Sequence, residues 1–146
     1  NLRTGEEKTI VDVTENFIWT ADPHVSWGQY TVYQVDRSVY IYDMEAQTSR
    51  KVFTHDLGWD FYNYMILDGH VIAICGTEDA CRAWAIDIMD GSVVELDTYG
   101  ENVVAFSAHY ECNGYFVGLL HASNNADQYY ISKEDFYRSN YDAAFR

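Results

Sequence analysis

The chain has 146 residues, 16% of them aromatic, with one proline, nine glycines and a formal net charge of −14. That length can bury a real core, and so aromatic a chain with so little proline and glycine is not disordered or low-complexity. The acidic balance argues against binding nucleic acid or an anionic membrane, which needs a basic footprint, and no apolar run approaches the ~18 residues of a membrane helix.

In chain order, Asn1-Leu-Arg-Thr-Gly-Glu-Glu-Lys-Thr-Ile-Val reads as a polar turn entering a strand. It aligns with Asp43-Met-Glu-Ala-Gln-Thr-Ser-Arg-Lys-Val-Phe further on. The first full unit, residues 16–55, offers Phe17-Ile-Trp, then Tyr30-Thr-Val-Tyr after Gly28, Ser38-Val-Tyr-Ile-Tyr-Asp, and Arg50-Lys-Val-Phe. The second, 58–98, repeats the order with Phe61-Tyr-Asn-Tyr-Met, His70-Val-Ile-Ala-Ile-Cys after Gly69, Ala83-Trp-Ala-Ile-Asp and Ser92-Val-Val-Glu-Leu. The third, 101–137, has Val103-Val-Ala-Phe, Tyr115-Phe-Val-Gly-Leu-Leu after Gly114, and Gln128-Tyr-Tyr-Ile-Ser. Its continuation from Tyr137 to Arg146 is a poor fourth strand. Asp43 and Asp87 stand 44 positions apart and Ile86 and Ile131 stand 45 apart, a period in the range of four-stranded propeller blades.

The expected fold is therefore all-β: β-propeller blades of four antiparallel strands, in about three repeats of about 44 residues, forming one domain over 1–146 with 1–11 as an extra outer strand. Propellers typically have four to eight blades, and an open ring leaves edges exposed. Closure is expected from a homodimer or from the remainder of a longer chain. The start at Asn1 rather than Met favours excision from a longer protein.

In such a fold the d–a and b–c connections emerge together on one face. They carry Asp12, Glu15, Asp56, Asp60, Asp97 and Glu101, and Asp36, Glu78, Asp79 and Asp127. The residues singled out for binding on this acidic face are Asp36, Asp56, Glu78, Asp79, Asp97 and Asp127. Loop carboxylates suit a hard cation such as calcium, but no Asp-x-Asp-x-Asp-Gly loop is present and no metal site or cofactor is assigned. The bland reading of the charge is solubility.

Cys75 and Cys81 flank a short hairpin loop, where strand ends come close enough for a disulfide. Such a bridge would fit an extracellular or cell-envelope protein; the other reading is two small buried hydrophobes. Cys112 reads as a free thiol. The histidines show no zinc-binding spacing. His55 adjoins Asp56, yet neighbours on a strand face opposite ways, so no catalytic dyad is assigned. No nucleophile elbow or phosphate loop occurs. Trp84 reads as core, and Trp27 and Trp59 as exposed contacts.

The segments Val39-Tyr-Ile-Tyr-Asp-Met-Glu-Ala-Gln-Thr-Ser-Arg-Lys-Val-Phe and Ile86-Asp-Ile-Met-Asp-Gly-Ser-Val-Val-Glu-Leu resemble WD40-like and TolB-like propeller repeats. There is no Trp-Asp at the end of strand c and no Gly-His at the blade start, so the TolB-like resemblance is preferred. It implies a rigid scaffold for protein–protein contact, often extracytoplasmic, and carries over no catalytic residue. The function expected is a non-catalytic binding or scaffold module presenting an acidic loop face to a protein partner or cation. The alternative is a propeller accessory to a hydrolase, either a peptidase or a glycosidase.

Overall fold

The computed structural model describes residues 5, 7, 26–58, 61–76, 80–99, 103–121 and 127–146. Three antiparallel sheets follow one another along the chain. The first contains β1 (Ser26–Trp27), β2 (Tyr30–Val35), β3 (Ser38–Asp43) and β4 (Thr48–Thr54), hydrogen-bonded in that order. The middle sheet repeats the pattern with β5 (Phe61–Leu67), β6 (His70–Gly76), β7 (Cys81–Asp87) and β8 (Val93–Leu96). A two-stranded ribbon, β9 (Thr98–Tyr99) with β10 (Val103–Val104), leads to the third sheet. That sheet has three strands, β11 (Phe106–Cys112), β12 (Tyr115–Leu120) and β13 (Tyr129–Ser132).

Local chemistry explains the hairpins. Asp68-Gly69 and Asn113-Gly114 have φ of 51° and 70°, and of 51° and 82°. Positive φ at both central residues is what a two-residue turn matched to strand twist demands, and Asp-Gly and Asn-Gly supply it at low cost. The repeat aspartates do matching work. Asp43 Oδ1 accepts from the amides of Glu45 and Ala46 at 2.9 and 3.0 Å. Asp87 Oδ1 accepts from those of Met89 and Asp90 at 2.6 and 2.9 Å. Both carboxylates fold the backbone back into the fourth strand. The backbone amides, first that of Ala46, hold the Asp43 pKa below its ordinary value.

The third unit has Ser132 at the corresponding place. Its hydroxyl accepts from the Asp135 amide at 3.1 Å and caps a helix, α1 (Lys133–Tyr137), where the other sheets turn into a strand. A 3-10 turn, Tyr141–Ala143, follows. Phe145 then forms a single bridge with Tyr130 on the outer edge of β13. Most of the 1–11 segment expected as an extra outer strand lies outside the described residues, as does Phe17–Trp19. At Tyr130 the edge is taken by the chain's own C-terminal end, through bonds of 2.7 and 2.9 Å.

The middle sheet is buried on both faces. Val71, Ala73, Cys75, Trp84 and Ile86 pack against Val32, Val39 and Ile41 of the first sheet. The alternate residues Ile72, Ile74, Cys81, Ala83 and Ala85 pack against Phe106, Phe116, Ile131 and Phe136. This is why β6 and β7 read as nearly unbroken apolar runs rather than alternating ones. Polar ties join the middle and third sheets at the hairpin-turn end. Lys133 Nζ meets Asp68 at 2.5 Å and Glu111 at 2.8 Å, and the Tyr137 hydroxyl lies 3.0 Å from His70 Nδ1. Burial opposes the charge on Lys133, but its bonds to Asp68 and Glu111 outweigh that and hold its pKa above the ordinary value. Burial, helped by the charges of Asp68, Asp87 and Glu111, pushes the Tyr137 phenol well up. Among the described residues, no helix is long and apolar enough to cross a membrane.

Candidate binding groove

The end of the first sheet carrying the β2–β3 turn also carries the exit of β4. Ser38 and Thr54 hydroxyls bond at 2.8 Å, and the His55 amide donates to the Arg37 carbonyl at 3.3 Å. The Arg37 guanidinium donates to the Leu57 carbonyl at 3.0 Å. These bonds hold residues 55–57 in a defined path toward the middle sheet. The result is a groove of about 470 Å³ lined by Phe53, Thr54, His55, Asp56, Leu57, Arg82 and Trp84.

Its floor is aromatic. His55 is 6% exposed and Trp84 7%; their rings stack at 5.6 Å and 15°. Phe53 tilts against Trp84 at 5.0 Å. Asp56 is exposed at the rim. Arg82 donates to Glu95 at 2.6 Å across to β8, so its charge is already balanced within the middle sheet. The groove therefore joins an apolar π surface to an exposed carboxylate that forms no ion pair among the described residues, a combination that favours a cationic or amphipathic group.

The candidate residues read from sequence are only partly gathered here. Asp56 lines the groove, and Asp36 is in the adjacent turn at φ 51°. Asp97 sits at the corresponding end of the middle sheet, its carbonyl accepting from the Ala105 amide at 3.1 Å and its amide donating to Ser139 at 2.9 Å. Asp127 pairs with Arg146 at 3.1 Å. Glu78 and Asp79 lie outside the described residues, as do Asp12, Glu15, Asp60, Glu101 and Trp59. Among the described residues, no three His, Cys, Asp or Glu side chains are grouped to hold a metal ion. His55 and Asp56 part company, the ring buried and the carboxylate exposed.

Of the two readings for Cys75 and Cys81, a disulfide or two small buried side chains, the structure has the second: both are buried free thiols. The register gives the reason: Cys75 pairs with Arg82 and Gly76 with Cys81, so the two side chains leave opposite faces of the sheet. Cys75 packs toward the first sheet and Cys81 toward the third. Burial, and secondarily the nearby Cys81, pushes the Cys75 thiol up to about 11 against the opposing charge of Arg82. Trp84 is core as expected, and Trp27 is 42% exposed and lies against Gly69.

Sequence reasoning passed over Phe53, Leu57 and Arg82. The signal for Arg82 was its i, i+2 spacing from Trp84 on one strand, which puts both on one face. No protein-family model matches this chain, and no curated protein matches it.

Proposed function

We propose that the three sheets are successive β-propeller blades and that the chain is a binding or scaffold module whose loop end receives a basic segment of a protein partner. The observation that carries this is the groove, with Asp56 on its rim above the stacked His55 and Trp84. The face-to-face stacking of sheets in chain order, the 44-residue spacing of the two turn aspartates and the net charge of −14 support it. A lysine or arginine stem covers the aromatic floor while its charge meets Asp56. Ring closure comes from a second copy or from further chain, and calcium on the loop carboxylates is the competing ligand.

The test is amide shift mapping during titration with a Lys/Arg-rich peptide, alongside a neutral analogue and calcium. Shifts gathered on residues 53–57 and 82–84, reduced in D56N and by added salt, support the reading. Shifts elsewhere, or equal shifts with the neutral peptide, sink it. Light scattering reports the closure: twice 16.9 kDa favours a ring of two copies, and a monomer leaves further chain or a three-blade closure.

A further inference from the structure

Ser107 lies on β11, and His121 directly follows β12. Ser107 pairs with Leu119 and Phe106 with Leu120. The His121 amide donates to the Ala105 carbonyl at 3.0 Å, so backbone bonds pin both side chains. Ser107 Oγ is 2.7 Å from His121 Nε2. By contrast, the Ser26 and Ser38 hydroxyls meet threonine hydroxyls, and Ser132 caps α1. Phe106 and Ala108 point into the core shared with the middle sheet. Strand alternation therefore turns the Ser107 hydroxyl to the outer face of the third sheet, where Ser107 and His121 are both half-buried. Burial, and secondarily His109, lowers the His121 pKa. The ring is thus neutral at physiological pH, and with Nε2 as acceptor the proton sits on Nδ1.

We propose that Ser107 and His121 form a nucleophile–base dyad that accepts the acyl group of small activated carboxylic esters. Their contact falls within the reach that lets an imidazole take a hydroxyl proton. This goes beyond the binding reading and is independent of it. Ser107 Oγ adds to the ester carbonyl carbon as His121 Nε2 takes the hydroxyl proton. The carbon–oxygen bond to the alcohol breaks, and the departing oxygen receives that proton. Water then adds to the acyl-serine, giving a proton to Nε2. The carboxylic acid leaves as Oγ takes the proton back. No electrons are exchanged with any other reagent.

The experiment uses a fluorophosphonate probe on the whole chain, read by intact mass and peptide mapping. Oγ forms the bond to phosphorus and fluoride leaves. The expected result is one adduct, on Ser107, absent from S107A. H121Q should slow labelling about 100-fold or more. The wild-type rate should rise with pH through a midpoint below the ordinary imidazole value. No adduct, an adduct that persists in S107A, or wild-type labelling rates in H121Q would each overturn the proposal. Because S107A can lose fold, S107C provides a second measurement. Iodoacetamide should alkylate that variant at position 107 faster than at the exposed Cys112, and equal rates also overturn the dyad.

Discussion

The substitution of a helix for the fourth strand of the third sheet makes a quantitative prediction. Phe116 on β12 and Phe136 on α1 are 0% and 2% exposed, and their rings meet edge to face at 4.9 Å and 80°. Truncating either to alanine would cost roughly 3–5 kcal/mol, a large share of the ~5–15 kcal/mol that holds a domain together. Leucine is the better probe, because it keeps most of the volume and costs below about 1.5 kcal/mol at each site. The edge-to-face pair is worth a further ~0.5–1.5 kcal/mol beyond its buried area. Either single change removes that term, so F116L/F136L should cost less than the sum of the singles by this amount. Urea unfolding of the wild type, both singles and the double measures it, provided the slope m is shared. Additivity within about 0.3 kcal/mol would mean that α1 is not seated on β12, and the description of the third sheet would be wrong.

Three further outcomes are expected. A Cβ on Gly118 would collide with the Ser107 carbonyl oxygen, and one on Gly58 would meet nothing within 4 Å among the described residues. G118A should therefore lose about 1–3 kcal/mol while G58A stays within about 0.5 kcal/mol of wild type; similar thermal shifts for the two would refute the β11–β12 close approach. The Asp90 pKa is lowered chiefly by the Ser92 amide, and that of Asp135 chiefly by the Ser132 hydroxyl. A depressed carboxylate stabilises the fold above its unfolded pKa of about 3.9 and loses that contribution as pH falls through the lower folded value. An acid titration of stability should thus be flatter below about pH 4 in D90N and D135N than in wild type, and an unchanged slope would count against those turn bonds. For the cysteines, intact mass should not change on reduction. Cys112 should react with a disulfide reagent in the native state while Cys75, buried and raised to about 11, should react only after unfolding. A gain of two mass units on reduction would restore the disulfide.

Much of this architecture was legible because it is local. Asp-Gly and Asn-Gly turns, runs of Val, Ile and Tyr, and aspartates 44 positions apart each act within a few residues, so β2–β4, β5–β8 and β12–β13 lie near where the residues put them. The strand expected at Val103–Phe106 is displaced: Val103 and Val104 pair with β9, and β11 begins only at Phe106 and runs to Cys112, a polar stretch with a bulge between Ala108 and Tyr110 that does not read as a strand. The helix at Lys133 was missed for a local reason too: Ser132 replaces the turn aspartate and caps a helix instead.

The groove and the Ser107–His121 contact belong to the other class. Phe53 and Trp84 are 31 positions apart and come from different sheets; Ser107 and His121 are 14 apart and meet only through the β11–β12 register. The two cysteines show the same limit from the opposite side. Six positions of sequence placed Cys75 and Cys81 on neighbouring strands. A single residue of register then decided that they face different cores, because side chains alternate across a strand with period two. Sequence alone determined the strands, turns and charge of this protein. Tertiary structure decided which faces became interior, and therefore which side chains meet.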